Sequence, residues 1–156
     1  MATLGFGVVL LRVVDFPYGI LDQGGRGAPG LSSAGMPPVY VYRNKTRELE
    51  EIMLKGMPLG AMKHFPYVVH QMGLQAGDTM LLLTDGLPEQ KNARGEMFDY
   101  ARVQDKFKEV GNCSPGEIVQ HLVKYGEEWM DGAAQDDDIT LLVIRMKGEN
   151  SGGNTE

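Results

Sequence analysis

The stretch TMLLLTDG, residues 79–86, decides how this chain folds. Thr79 to Leu83 form a short run that is almost entirely apolar. Such a run is typical of a strand buried on both faces of a sheet. The predicted strand ends in Thr84-Asp85-Gly86, so a carboxylate stands where the strand leaves the sheet. Gly86 has no side chain, which allows backbone or water to approach Asp85 closely.

A second acidic segment precedes another strand. Asp136-Asp137-Asp138 leads directly into ITLLVIRM, residues 139–146. If this strand pairs antiparallel with residues 79–83, the end of one strand lies beside the start of the other. Carboxylates from both segments then converge at one sheet edge, where they repel each other unless a cation lies among them. Oxygen ligands favour Mg²⁺ or Mn²⁺ over zinc. The alternative is an ordinary Asp-Gly turn and a solvated acidic loop.

Other segments complete an α+β pattern. The clearest helix is 115–130, because Ser114 is a good N-cap, Glu117 completes a capping box and Gly132 is a plausible stop. The remaining predictions are a helix over 99–110, strands over 4–14, 39–43 and 67–72, and helical spacing over 46–54. Strands on both sides of a helical pair favour α+β over a βαβ repeat.

Composition narrows the class of protein. The chain has 156 residues, of which 42% are hydrophobic and 23% charged, as expected for one globular domain. Its net charge of −6 argues against a nucleic-acid surface. The single cysteine, Cys113, suits a reducing compartment. No segment reaches membrane length, since the apolar run 4–11 is too short. We therefore expect a cytoplasmic location, no membrane partner, and a disordered tail over 148–156.

Several short motifs resemble those of one phosphatase family. TDGLPE at 84–89, followed by GEMF at 95–98, resembles "TDG-x-x-E … G-E-x-F", and DDITLLV at 137–143 resembles a terminal "DD-x-T" strand. AGMPP at 34–38 and PLG at 58–60 resemble the "A-G-H-x-P" turn and the "P-L-G" loop, and QAGDT at 75–79 resembles the "x-x-G-D-x" lead into the TDG strand. Order and spacing agree with PPM-type serine/threonine phosphatases of the sporulation stage II protein E and stress-response branch.

The resemblance implies a fold, a cofactor and a substrate. The fold would be a PPM-like layered β-sandwich flanked by helices, with residues 1–147 forming the C-terminal part of such a domain. The cofactor would be a binuclear Mn²⁺ or Mg²⁺ centre with Asp85 and Asp137 as ligands, and Asp138 and Gly86 are further candidates. A metal-activated water would attack phosphoserine or phosphothreonine in a phosphorylated anti-anti-sigma-type protein.

The sequence departs from the family pattern in two places. The N-terminal block with "G-D" and "D-x-x-G-H-G" segments, whose aspartate bridges both metals, is missing before Ala34. The stretch DQGGRGAP at 22–29 has the glycine spacing of the second segment and would make Asp22 the bridging ligand. The favoured alternative makes Tyr18 to Asp22 and Leu31 to Ala34 the arms of a hairpin. Met36 replaces the usual histidine, and a thioether cannot move a proton.

Three hypotheses follow from the sequence. The chain is an active Mn²⁺- or Mg²⁺-dependent phosphatase, a truncated and catalytically inactive module that binds a partner, or an unstable fragment of a longer protein. The sequence leaves catalytic activity, the protein substrate, any regulatory domain upstream and the oligomeric state open.

Overall fold

The computed structural model describes residues 30–147 and shows an α+β fold built around one antiparallel sheet. Four strands pair in the order β3-β2-β5-β6, and a separate pair joins β1 to β4. In chain order, the elements are β1 (Gly30–Leu31), β2 (Val39–Arg43), β3 (Glu48–Ile52), β4 (His70–Gln71), β5 (Thr79–Leu83), α1 (Tyr100–Val110), α2 (Pro115–Met130) and β6 (Leu141–Arg145).

The central strand β5 confirms the prediction from its apolar sequence. It has the predicted bounds, and four of its five residues are buried. It pairs antiparallel with β2 on one side and with β6 on the other, with Leu83 opposite Leu141. Antiparallel pairing brings the end of β5 to the start of β6, as the sequence predicted.

Side chains of the sheet alternate between two apolar layers. Tyr40, Tyr42, Leu81 and Leu83 point toward the two helices, whose buried residues include Val103, Phe107, Ile118 and Leu122. Val39, Val41 and Met80 point to the other face and pack with Leu31, Leu54 and Met72. The alternation follows from the two-residue period of a strand, which turns successive side chains to opposite faces.

The two helices form where local sequence signals are strong. α2 has the predicted bounds, and both halves of the Ser114–Glu117 capping box are present. Asp131 ends the helix in the left-handed conformation, and Gly132 follows with positive φ. α1 begins after Asp99, whose carboxylate accepts a hydrogen bond from the Tyr100 backbone N–H at 2.6 Å.

The helix indicated by the spacing over 46–54 does not form, because this segment contains strand β3. β3 pairs with β2 along its full length, from Val39 opposite Ile52 to Arg43 opposite Glu48. Arg43 also donates to Glu50 from Nε at 2.8 Å. Nine residues of helical spacing stabilise little by themselves, whereas the edge strand β3 gains backbone hydrogen bonds to β2 along its length. Likewise, only His70–Gln71 of the predicted strand over 67–72 is paired.

A buried aspartate fixes the end of the sheet opposite the acidic motifs. Asp78 is 3% exposed. Its carboxylate accepts hydrogen bonds from the backbone N–H groups of Asn44 and Gln75, both at 3.0 Å, and from Arg43 Nη1 at 2.9 Å. These three donors satisfy a charge that would otherwise be costly to bury.

Some predictions concern residues outside the described part of the chain. They are the strand over 4–14, the role of Asp22, the Tyr18 to Asp22 arm of the hairpin, and the tail over 148–156. Within the described part, Leu31 pairs with His70 of β4. No helix among residues 30–147 has the length and apolar character needed to cross a membrane.

Candidate active site

The two acidic motifs meet through backbone contacts at one edge of the sheet. The Thr84 backbone N–H donates to the Thr140 carbonyl at 3.1 Å. The Thr84 hydroxyl donates to the Asp138 carbonyl at 3.1 Å and accepts from the Thr140 N–H at 3.0 Å. A Cβ on Gly86 would collide with the Asp138 carbonyl group. Gly86 is therefore needed for close approach of two backbones, and the Thr84 side chain fixes the contact.

A buried glutamine joins the same two segments further from the sheet. Gln90 is 1% exposed. Its amide nitrogen donates to the carbonyls of Lys91 at 3.0 Å and Ala134 at 3.1 Å, and its amide oxygen accepts from the Asp136 N–H at 3.3 Å. The acidic loop is thus held at Thr84 and again at Gln90.

The carboxylates predicted as metal ligands lie at this junction and are exposed. Asp85, Asp137 and Asp138 are all on the surface. The Asp137 carboxylate accepts a hydrogen bond from the Asp138 N–H at 2.7 Å. Among residues 30–147, no hydrogen bond or ion pair engages the side chain of Asp85. These oxygen donors suit Mg²⁺ or Mn²⁺, and their exposure leaves them free to bind.

The described residues do not by themselves form a complete group of metal ligands. No three histidine, cysteine, aspartate or glutamate side chains within 30–147 come together as a group that could hold a metal ion. Asp85 and Asp137 offer two carboxylates at this edge, and a metal centre built on them would need further ligands. Asp22, the third candidate from the sequence, lies outside it.

An open cleft adjoins Asp85. It has a volume of about 490 Å³, and residues from the 35–38 turn, β2, β3, the turn after β5 and the start of α1 line it: Gly35, Met36, Pro37, Pro38, Tyr40, Glu51, Met53, Asp85, Glu89 and Tyr100. A Cβ on Gly35 would lie 3.0 Å from the ring of Pro58. The AGMPP turn therefore packs on the PLG loop, and both lie at the same end of the sheet as the acidic motifs.

Tyr100 enters this cleft from the first turn of α1. The preceding Asp99 has φ 75° and ψ 150°, a conformation that is strained for a residue with a side chain. Its N–H donates to the Pro88 carbonyl at 2.7 Å, which ties the start of the helix to the turn after β5. Burial raises the pKa of Tyr100, and the nearby charges of Glu89 and Asp85 raise it further. Its hydroxyl thus stays protonated in a negative field.

A comparison of the sequence with known families shows the family to which this chain belongs. The family model described as stage II sporulation protein E matches residues 15–147. The chain belongs to the stage II sporulation protein E family. This is a family of PP2C-like phosphatase domains.

Individual relatives of this family member agree with that assignment. The phosphoserine phosphatase RsbU of Bacillus subtilis (strain 168) is 28% identical over 116 residues, which are 74% of this chain and 34% of RsbU. The SiaA-PP2C domain of Pseudomonas aeruginosa superposes with a TM-score of 0.62 at 25% identity, covering 76% of this chain and 46% of that one.

The PP2C phosphatase domain of SpoIIE from Bacillus subtilis, solved with a fragment of its regulatory domain, has the same TM-score of 0.62 at 21% identity, covering 75% of this chain and 33% of that one. The described residues therefore form part of a PP2C-type α+β fold. The chain spans about a third to a half of the length of these relatives.

Several residues of this family member have roles that the motifs alone did not indicate. Gln90 and Thr84 hold the acidic loop, and Glu51 and Tyr100 line the cleft. The burial of Gln90 was the hardest of these features to predict from the sequence, because a glutamine beside Glu89 is usually solvated. Arg94 is 76% exposed at its side chain and pairs with Glu96 at 3.0 Å. It lines a different cavity, of about 320 Å³, with Trp129.

Proposed function

We propose that this chain carries a metal-dependent protein serine/threonine phosphatase domain in which Asp85 and Asp137 are metal ligands. The observation that supports it best is the contact between Gly86 and the Asp138 carbonyl, which brings the two acidic motifs to one edge of the sheet. Exposed carboxylates at that edge, beside an open cleft, are suited to bind a hard cation and a phosphorylated side chain.

The residues of this chain would hold and orient the reacting groups. When bound, a pair of Mn²⁺ or Mg²⁺ ions supplies an activated water and neutralises charge on the phosphoryl oxygens. Thr84 and Gln90 fix the backbone that carries the candidate ligands. Asp138 and the backbone of Gly86 are further candidates at the same place. Met36 lines the cleft where the family has histidine, so no proton transfer is assigned to that position.

Membership of this family supports a proposal for the substrate class. We propose phosphoserine or phosphothreonine in a phosphorylated protein of the anti-anti-sigma type, acted on in the cytoplasm. RsbU, a relative, is itself named a phosphoserine phosphatase. The single cysteine of the chain supports a reducing compartment.

Hydrolysis by the purified 156-residue chain tests the proposal. A phosphoserine peptide in millimolar Mn²⁺ should release phosphate, and a chelator should stop the release. Asp85→Asn and Asp137→Asn should each lower turnover at least about a hundredfold, because each removes a charged ligand. Asp105→Asn is the matched control, since it removes one exposed carboxylate from α1. Equal activity in Asp85→Asn and Asp105→Asn would contradict the assignment.

Asp22→Asn separates two explanations of an active chain. Loss of turnover in this variant would support Asp22 as the further ligand suggested by the glycine spacing of residues 22–29. Full activity would mean that the remaining ligands lie elsewhere.

A second candidate function is a phosphatase-like module that binds a partner without catalysis. It is favoured by the absence of a three-residue metal cluster within 30–147 and by Met36. A chain that unfolds cooperatively, binds no Mn²⁺ in calorimetry and releases no phosphate would support this candidate against the enzyme. A chain that shows no cooperative unfolding transition would instead favour an incomplete fragment.

A further inference from the structure

Glu51 contributes to this cleft a carboxylate that has no cationic partner among residues 30–147. Glu51 lies on β3, and its Oε2 accepts a hydrogen bond from the Gln104 amide at 2.8 Å. Gln104 also lies 3.4 Å from the Tyr40 hydroxyl. No ion pair within 30–147 includes Glu51, whereas its neighbour Glu50 pairs with Arg43 at 2.6 Å on the other face of the sheet. A neutral amide orients Glu51 and leaves its charge uncompensated.

The surroundings of Glu51 suit a long side chain with an apolar stem. Tyr40 is fully buried and forms the floor, while Met53 is 62% exposed at the rim. Tyr100 packs partly buried against the core and lines the same cleft. Lysine and arginine bury their methylene stems on such surfaces and keep the charged end beside an acid. An aromatic ring adds a favourable contact with a cation.

Strand order sets the distance between Glu51 and the candidate metal ligand. Glu51, Tyr40 and Leu81 are opposite one another on β3, β2 and β5. Two strand spacings amount to about 10 Å across the sheet, and the four residues from Leu81 to Asp85 add about 13 Å along it, so the two places lie about 16 Å apart. An extended peptide covers about 3.3 Å per residue, so a residue bound at Glu51 would lie about five residues from one bound at Asp85.

The charged residues that line the cleft are all acidic. Burial raises the pKa of Tyr40, and the neighbouring charge of Glu51 contributes to the shift although the Gln104 hydrogen bond opposes it. Glu89 adds a second carboxylate without an ion pair in the described part of the chain. The net charge of −6 also attracts cationic segments. An acidic peptide residue bound beside Glu51 would be repelled by these carboxylates.

We propose that the cleft beyond Asp85 is a subsite for a lysine or arginine located about five residues from the phosphoserine of a protein substrate, with Glu51 as its charge partner. The subsite rests on the proposed phosphatase function for its role, and it would give the enzyme a preference for basic sequences around the phosphoserine. The occupant is a peptide segment of a partner protein.

Fluorescence anisotropy of labelled peptides tests the subsite independently of catalysis. Three phosphoserine peptides would carry Lys, Ala or Glu about five residues from the phosphoserine, in sets for either side, and would be titrated with the full chain with and without Mn²⁺. We expect the Lys peptide to bind about fivefold tighter than the Ala peptide and the Glu peptide more weakly. The preference should shrink as salt rises.

Two variants with the same charge change make the test specific. Glu51→Gln should remove the preference for Lys. Glu48→Gln lies on the same strand but on the opposite face of the sheet, and should preserve it. Equal affinity for the three peptides, or equal loss in both variants, would overturn the subsite, since bulk charge would then explain any attraction.

Hydrolysis of the same peptides separates this inference from the proposed function. A Lys preference in binding without phosphate release in Mn²⁺ would support the subsite and count against the phosphatase. Phosphate release with no dependence on the flanking residue in binding or in kcat/KM would support the phosphatase and overturn the subsite. If the unphosphorylated Lys peptide still binds more tightly than the unphosphorylated Ala peptide, the result supports the subsite, because Glu51 contacts the cation and not the phosphate.

Discussion

Gly86 lies against the carbonyl group of Asp138, and a Cβ at Gly86 would come 2.8 Å from the Asp138 carbonyl carbon. The contact joins the turn that carries Asp85 to the loop that carries Asp137. No side chain could occupy this space without moving one backbone, so a glycine in the TDG motif determines how closely the two acidic segments approach.

Gly86→Ala should therefore destabilise the fold and disturb the site together. We expect the free energy of unfolding to fall by about 1–3 kcal/mol, the usual cost of adding atoms to a packed region. Gly116→Ala in α2 is the control, because a Cβ there meets nothing within 4 Å and alanine favours a helix by about 1 kcal/mol over glycine. Urea unfolding of both variants measures the difference. A Gly86→Ala variant as stable as wild type would show that the backbones can separate freely.

Thr84 and Thr140 should respond oppositely to the same substitution. The Thr84 hydroxyl makes two hydrogen bonds across the junction, whereas the Thr140 hydroxyl oxygen is buried with no partner in the described part of the chain. Thr84→Val should cost about 1–2 kcal/mol, and Thr140→Val should be neutral or slightly stabilising, because it removes an unsatisfied polar group. Thermal and urea unfolding provide the comparison. Equal destabilisation of the two variants would contradict the assigned hydrogen bonds.

Gln90→Met tests the second attachment of the acidic loop. The substitution keeps the approximate volume and removes the hydrogen bonds to the carbonyl of Ala134 and the N–H of Asp136. We expect a loss of about 1–3 kcal/mol, because buried polar groups lose their partner, together with weaker Mn²⁺ binding in calorimetry. Gln120→Met on the exposed side of α2 is the control and should change neither quantity. Unchanged Mn²⁺ binding in a destabilised Gln90→Met variant would limit Gln90 to a role in folding.

Asp78 should make stability depend on pH at the far end of the sheet. Burial alone would raise the pKa of Asp78, but the hydrogen bond from the Gln75 N–H, followed by those from Arg43 and the Asn44 N–H, lowers it overall. A lowered pKa contributes stability that is fully present above the unfolded value of about 3.9. That stability is lost as pH falls through the folded value.

Asp78→Asn should cost about 2–4 kcal/mol at neutral pH, because it leaves Arg43 without its buried partner. The difference from wild type should stay constant down to about pH 5 and narrow below about pH 4. Urea unfolding followed by Trp129 fluorescence over a pH series measures it. A difference that persists unchanged in acid would show that the charge of Asp78 is not responsible.

Segments with strong local signals were predictable from sequence. α2 begins and ends as predicted, because its capping box and apolar spacing act within one helix. The bounds of β5 were also correct, since a short apolar run with turns at both ends has few alternatives. The prediction failed at 46–54, where Leu49 and Ile52 have helical spacing but face opposite sides of a strand. Pairing with β2 overrides the weak local preference, and that partner lies outside the segment.

The sequence by itself determined the family, the α+β class and the two acidic motifs, because short motifs in a fixed order and local helix signals are written along the chain. Only the tertiary structure decided which backbones touch at Gly86 and that Gln90 is buried between two loops. It also decided that Glu51, Tyr100 and Asp85 line one cleft. These relationships depend on strand register and on the packing of α1 against the sheet, which join residues far apart in the chain, and no local pattern encodes them.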